Sequence, residues 1–376
     1  MRKVKILHCS DIHFDTPFKE LSKEIANNCR EELLETFKRI IDLTIEENVQ
    51  VLFIAGDLFD NFTVNKTTLI FIINQLKRIK DKYIFIAPGN HDPYYEKSFY
   101  NMINWPSNVH IFTGKMSKKE INELGLVVYG AGFTKKYERE TLINIEELDT
   151  SKINMMVLHG DISTKDTKND YNPISLKDIR NSYMDYIALG HIHKFSGILK
   201  EENSYYAYSG CPQGRGFDEV GKKGVILGEV YKGGVDLKFI PINKREYIVK
   251  DIDISECDTY EDIKEKLLSI LDEKDRLNNL FKITLTGNIK SHLYLDIKTL
   301  VEKLKNDYYF IKVLNKTTVE MSLDELANDY SIRGKFIKRM LEKLKEANED
   351  EKEIINRALK IGLQSLSEEE VKLNDN

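Results

Sequence analysis

Val51-Leu52-Phe53-Ile54-Ala55-Gly56-Asp57 is a run of apolar residues stopped by a glycine and an acid. Its length suits one strand buried on both faces, because a buried helix needs ten residues or more. The same unit, an apolar strand followed by a polar loop, recurs on either side. Val4 to Leu7 leads to Asp11-Ile12-His13, and Tyr83 to Ala87 leads to Gly89-Asn90-His91-Asp92. Asn154 to Leu158 leads to His159-Gly160-Asp161, and Tyr186 to Leu189 leads to Gly190-His191-Ile192-His193. Val127 to Tyr129 is a further short strand. Between these runs lie helical patterns. Leu21, Ile25, Leu33, Leu34, Phe37, Ile40 and Ile41 recur at helical spacing within 20–48, and 66–80 reads as a second helix. Strands alternating with helices predict a layered α/β fold, in which ligand groups sit on loops leaving the carboxyl ends of strands.

Beyond this block the pattern changes. From Tyr205 to Ile242 the chain reads as antiparallel strands punctuated by glycines, including a Gly233-Gly234 turn. Residues 245 to about 315 alternate strand and helix as a smaller α+β unit, and the rest is helical and highly charged. We therefore expect a first domain over 1–242, an α+β domain over 243–325 and a helical segment over 326–376. The 376 residues are 41% apolar and 31% charged, enough for a packed core beneath a polar surface. No apolar run approaches the ~18 residues of a membrane span, and the polar N-terminus does not resemble a secretory signal, so the expected compartment is the cytoplasm. The four cysteines form no C-x-x-C pair, which excludes a thiolate zinc site and a disulfide scaffold. With 56 basic and 61 acidic residues the net charge is −5, so no global positive field draws in nucleic acid.

Each strand-end motif is weak alone: Gly56-Asp57 is equally a turn, and Asp11-Ile12-His13 a polar loop. Five of them, each just beyond a strand, could converge on one rim of one sheet. Their oxygen and imidazole donors suit Mn²⁺, Fe²⁺ or Zn²⁺ better than Ca²⁺. They also outnumber the needs of one tetrahedral ion, which points to two metals.

These motifs resemble the calcineurin-like metallophosphoesterase superfamily. The opening Ile6 to Phe18 and the stretch Gly210-Cys-Pro-Gln-Gly-Arg-Gly-Phe-Asp-Glu219 are similar to bacterial DNA-repair exonuclease subunits of the SbcD and YhaO type. The resemblance implies a β-sandwich flanked by helices, with 243–325 as a capping domain. It implies one ion, most simply Mn²⁺, held by Asp11, His13 and His193, a second held by Asn90, His159 and His191, and Asp57 bridging them. His91 is then not a ligand but faces the scissile phosphate and protonates the departing oxygen. In archaeal and eukaryotic relatives the residue three after the bridging aspartate is often histidine; here it is Asp60. Spacing suggests that Asp60 pairs with His91 and raises its basicity, with Asp92 the competing partner.

The implied activity is a 3′→5′ DNA exonuclease working with an ATPase subunit of the SbcC or YhaN type, with a homodimer as a further expectation. The alternatives are a phosphatase or small-molecule phosphodiesterase on the same centre, and a silent scaffold for an ATPase. Asn61 argues against the protein phosphatases, which carry arginine there, and the full donor set argues against the scaffold. The apolar stripe of Lys335 to Lys345 and the set Ile354, Ile355, Ala358, Leu359 and Leu363 read either as helices packed on their own domain or as a partner-docking site. His8 reads as a satisfied core histidine, His110 and His292 as structural, and Trp105 as packing. Tyr94 and Tyr95 suit base stacking or loop packing equally. Gln213, Arg215, Lys222 and Lys223 suit phosphate contact or a plain turn.

Overall fold

The computed structural model describes residues 2–60, 64–162, 169–290, 293, 295–320 and 326–366. Asn61, His292, the boundary at 325 and the last ten residues of the C-terminal segment lie outside the described residues. The chain divides into two compact units: 1–249 with 274–282 and 308–310, and 250–273 with 283–307 and 311–376.

The first unit contains two six-stranded sheets. One comprises β1 (Lys3–Cys9), β2 (Val51–Ile54), β3 (Tyr83–Ile86) and β4 (Val109–Ile111), all parallel, extended by a hairpin described below. The other comprises β5 (Ser117–Ile121), β6 (Leu126–Gly130), β7 (Ile153–His159), β10 (Tyr186–Gly190), β11 (Leu199–Glu201) and β12 (Ser204–Tyr208), ordered β11-β12-β10-β7-β6-β5. Two short strands, β8 (Asp161–Ile162) and β9 (Pro173–Ile174), pair beyond β7. The hairpin of β13 (Gly224–Tyr231) and β14 (Gly234–Pro241) joins the first sheet beside β1, antiparallel to it.

Alternation along each strand explains the layering. Successive side chains point to opposite faces, so Val4 and Ile6 enter the core between the sheets while Leu7 and Cys9 face the helices. Phe53, Phe85, Met155, Val157, Tyr186 and Ala188 complete the inner core. On the outer face of the first sheet, α1 (Lys23–Glu46) buries Phe37, Ile40 and Ile41, and α2 (Lys66–Lys77) buries Ile72 and Leu76. α1 begins where Ser22 accepts from Ile25 N, the usual N-cap arrangement. α3 (Phe99–Met102) is a single turn whose Tyr100 stacks on Trp105, the packing role expected of that tryptophan. α4 (Leu176–Ser182), opened by a Ser175–Asp178 capping box, covers the outer face of the second sheet. The α/β sandwich flanked by helices is as the sequence resemblance implies.

The donor loops leave two sheets and not one as expected, those after β1, β2 and β3 from the first and those after β7 and β10 from the second, because the sandwich stacks the two parallel sets face to face. One strand also departs from expectation. β12 runs parallel to β10, because the antiparallel hairpin with β11 turns the chain back before it pairs. The antiparallel reading holds for β13 and β14, which pair antiparallel across the Gly233-Gly234 turn. Among the described residues no helix is long and apolar enough to cross a membrane.

In the remainder, the strands Tyr247–Asp253, Leu280–Thr286 and Phe310–Asn315 form a three-stranded sheet. The second unit also carries the helices Tyr260–Ile270 and Ile297–Leu304 and a parallel strand pair, Asn288–Lys290 with Thr318–Glu320. Its last two described helices, Ile332–Glu346 and Glu349–Leu366, pack on each other through Ile337 and Leu359, with Leu326 in the same cluster.

His8 lies on the inner face of β1, fully buried, with Nδ1 2.8 Å from the Tyr186 hydroxyl and Nε2 3.2 Å from the Leu189 carbonyl. It is the satisfied core histidine expected, and burial pushes it down to about 3, so it stays neutral. Its bond to Tyr186 crosses from one sheet to the other. Tyr186→Phe removes one partner of a buried pair, a change that costs roughly 1–3 kcal/mol; urea unfolding should show a loss of that order.

Candidate metal centre

The strand-end loops are held in unusual backbone. Asp11, His13 and Asp57 have φ of 53°, 52° and 49°, and His191 has 107°. Left-handed backbone at residues other than glycine costs of order 1–3 kcal/mol each and concentrates at functional sites. Two main-chain bonds fix the first pair of loops, Asp11 N to Gly56 O at 3.0 Å and His13 N to Asp57 O at 2.9 Å. Gly56 has φ 88°, and a Cβ there would overlap the His159 ring; at Gly89 a Cβ would overlap the Asp57 carboxylate. The glycines of the G-D and G-N-H-D motifs are therefore demanded by the close approach of the loops.

The donors converge in two groups. His13 Nε2 is 3.6 Å from Asp57 Oδ2, and His193 Nε2 is 3.6 Å from Asp11 Oδ1. On the other side, His159 Nε2 is 3.4 Å from Asp57 Oδ2 and 3.0 Å from Asn90 Oδ1, and His191 Nδ1 is 3.2 Å from Asn90 Oδ1. Ligands bound at about 2.1 Å lie about 3.0 Å apart at octahedral angles and about 3.4 Å apart at tetrahedral ones. The observed spacings fall at or close to these. His13 adds a second test: its side chain is fully buried and Nε2 has no hydrogen-bond partner, while Nδ1 stands 3.2 Å from Asp60 Oδ1. An orphaned buried imidazole is costly unless a cation takes its lone pair. The residues present fit two divalent ions, with Asp57 placed between the groups.

Electrostatics agree. Burial alone would raise the Asp57 carboxyl, but the facing His159 and His13 rings hold it well below the usual carboxylate range. Burial lowers His13, with Arg215 adding to the effect, and burial together with His159 drives His191 down to about 4. Both rings are thus neutral at pH 7, the form in which imidazole binds metal. His159 and His193 are the exceptions: burial opposes charge on both, yet Asp57 raises His159 to about 9 and Glu219 and Asp11 raise His193, the response of rings facing carboxylates where a cation would otherwise stand.

His91 sits beside this centre with its side chain 44% exposed, while that of His13 is fully buried. The expected Asp60–His91 pair takes a different form. His91 Nδ1 lies 2.9 Å from the main-chain carbonyl of Asp60 and 3.9 Å from its carboxylate. The carboxylate instead stands 3.2 Å from His13 Nδ1 and 3.3 Å from Arg215. Asp92 is not the partner either. It is buried, accepting from Gly89 N, Phe59 N and the Tyr100 hydroxyl, and burial followed by Asp57 raises it to about 6.

The glycine-rich stretch also differs from a phosphate loop. Gln213 is buried between Lys244 N and Arg245 O, and Lys223 donates to His193 O at 2.8 Å. Lys222 is exposed, while Arg215 pairs with Glu219 at 2.6 Å. Glu219, which sequence reasoning assigned no role, reaches His193 Nδ1 at 2.7 Å. Tyr171, also unassigned, lies 5.0 Å from the His191 ring. Only a carboxylate within a motif already suspected of lying near the centre could have signalled the first. Tyr94 packs on the core under α1 while Tyr95 is exposed, and His110 contacts Phe85 and Phe112.

Comparison with known proteins agrees with this geometry. YhaO of Bacillus subtilis, described as an uncharacterized metallophosphoesterase, is 30% identical over 244 residues, 62% of this chain. The chain spans 59% of that relative's length. The DNA double-strand break repair protein Mre11 of Saccharolobus solfataricus is 26% identical over 321 residues, 83% of this chain and 79% of that one. Its counterpart in Sulfolobus acidocaldarius is 25% identical over 87% of this chain and 90% of that one. Residues 4–195 match the family described as calcineurin-like phosphoesterase, and with every strand-end donor in that span the chain belongs to this family.

Proposed function

We propose that this metal-dependent phosphoesterase is a DNA exonuclease, acting 3′→5′ in DNA repair within a complex with an SbcC- or YhaN-like ATPase. The observation that carries this reading is the extent of the likeness. Similarity to the break-repair proteins runs over 321 residues, whereas the family match ends at residue 195. It thus includes chain beyond the phosphoesterase core.

In this reading Asp11, His13 and His193 hold one ion, Asn90, His159 and His191 hold the other, and Asp57 bridges. Two divalent ions at such a centre polarise the phosphoryl group and make a strong nucleophile available at neutral pH. Mn²⁺ is the ion favoured by the resemblance, and the donor set also accommodates Fe²⁺ or Zn²⁺. The neutral Asn90 keeps the negative charge of the second group low, which favours entry of a phosphodiester. His91 donates Nδ1–H to the Asp60 carbonyl. That bond orients the ring, and in its protonated form Nε2–H donates to the phosphate or the departing oxygen. Asp60 acts on His13 and Arg215 instead of on His91. The helices after residue 326 dock the ATPase, and the partner supplies the positive surface that a chain of net charge −5 lacks.

Purified chain incubated with 5′-end-labelled linear duplex and Mn²⁺ should give a ladder shortening from the 3′ end, abolished by chelation. Intact DNA together with fast turnover of a small phosphate ester would favour the small-molecule reading. His91→Ala should lower kcat roughly 10²–10⁴-fold with Mn²⁺ binding intact by calorimetry, whereas Asp57→Ala should lose both. Removal of 330–376 should abolish ATPase binding in pull-down and spare metal-dependent cleavage; loss of metal from the truncated chain would make the segment structural.

A further inference from the structure

The two groups of donors are backed by different chemistry. Behind the Asp11–His13–His193 group, the outer nitrogens of both imidazoles face carboxylates: His193 Nδ1 meets Glu219 Oε1 at 2.7 Å and His13 Nδ1 stands 3.2 Å from Asp60 Oδ1. A single guanidinium joins these carboxylates. Arg215 Nη2 is 2.6 Å from Glu219 Oε1 and Nη1 is 3.3 Å from Asp60 Oδ1, while the Arg215 main-chain N donates to Glu219 Oε2 at 2.8 Å. Lys223 anchors the His193 carbonyl from the other end of the residue at 2.8 Å. Glu219 is 5% exposed, so its charge is little screened by water.

The second group lacks this support. His159 Nδ1 faces only the main-chain carbonyl of Ala55 at 3.0 Å, and the contact of His191 Nδ1 with Asn90 joins two proposed ligands and gives no outer support. Among the described residues neither outer nitrogen faces a carboxylate. Asp11 does not separate the groups, since its carboxylate lies within 4.8 Å of His13 and His193 and also of Asp57 and His159.

A carboxylate behind a metal-binding imidazole fixes the tautomer, holds the ring in place and makes its inner nitrogen a stronger donor. Loss of such a partner typically costs roughly 10–100-fold in metal affinity. We propose that Glu219 and Arg215 are positioning residues that make the Asp11–His13–His193 position the tight one, so that the centre loads in order: one ion held there, then a weaker, exchangeable ion at Asn90–His159–His191. Arg215 thus acts as the strut between two carboxylates and is not a phosphate contact. The inference rests on the two-ion assignment above and is independent of what the enzyme cleaves.

Titration of the full-length chain with Mn²⁺, following free ion by electron paramagnetic resonance, tests it without substrate. The unaltered chain should show one tight and one weak site. Glu219→Gln, which keeps the shape and removes the charge, should weaken the tight site roughly 10–100-fold and leave the weak site in place. Arg215→Lys keeps a cation but cannot span both carboxylates, and should shift the same site in the same direction. Asn90→Ala should remove the weak site alone. Two equivalent sites in the unaltered chain would overturn the proposal, as would a Glu219→Gln chain whose two sites weaken together, the result of a general scaffold role, or do not change. Failure of the unaltered chain to bind two ions would overturn the underlying two-ion assignment before any variant is made.

Discussion

Two main-chain hydrogen bonds, Asp11 N to Gly56 O and His13 N to Asp57 O, tie the first two strand-end loops together while three of their residues hold left-handed backbone. Every other donor is placed relative to that clamp. Asp57 Oδ1 accepts from His91 N, so the third loop is drawn onto the second, and Asp11 accepts from His191 N, so the second sheet is drawn onto the first. The carboxylates proposed as ligands thus also act as struts, accepting main-chain N–H groups from neighbouring loops. Such strained backbone persists only where its surroundings over-determine it. Here the surroundings are two sheets whose central strands are buried, with helices on both outer faces.

The sandwich explains why a rim of ionisable groups is tolerable. β1, β2, β3, β7 and β10 are parallel strands with apolar side chains on both faces, so their bodies supply the burial that stabilises the fold. Their carboxyl ends then carry the polar groups. The His8–Tyr186 bond ties the sheets below the centre, and desolvation keeps that histidine neutral. Burial acts in the opposite sense at the rim, where it makes unpaired imidazole nitrogens expensive and a cation welcome.

Around the centre, charge is graded. Asp60, Glu219 and Arg215 surround one side, neutral Asn90 and a backbone carbonyl the other, and His91 stands at the edge as the exposed one of the site histidines. This gradient puts rigidity on one side and access on the other. It also offsets part of the disadvantage of an acidic chain toward a phosphate ester, because ions at the centre would add positive charge where the phosphate must approach.

Much of this was legible in the sequence, for a local reason. A short apolar run followed by Gly-Asp or Gly-Asn-His-Asp encodes both the strand and the residue that leaves it, so the donors at strand ends, the helices within 20–48 and 66–80 and the place of His8 in the core follow from neighbouring residues. What the sequence could not decide involves residues far apart in the chain. Spacing placed Asp60 with His91. Only the packed structure turns its carboxylate toward His13 and Arg215, the latter 155 positions away, and leaves its carbonyl for His91. Spacing likewise left Glu219 without a role and read β12 as antiparallel. Its parallel course is set by a hairpin with β11 and its carboxylate neighbour's target by how the glycine-rich stretch folds over His193. The sequence by itself determined which groups reach the rim, because strand and loop are local. Tertiary structure alone decided which group faces which, because hydrogen bonds between distant loops depend on ångström-scale distances that no spacing along the chain encodes.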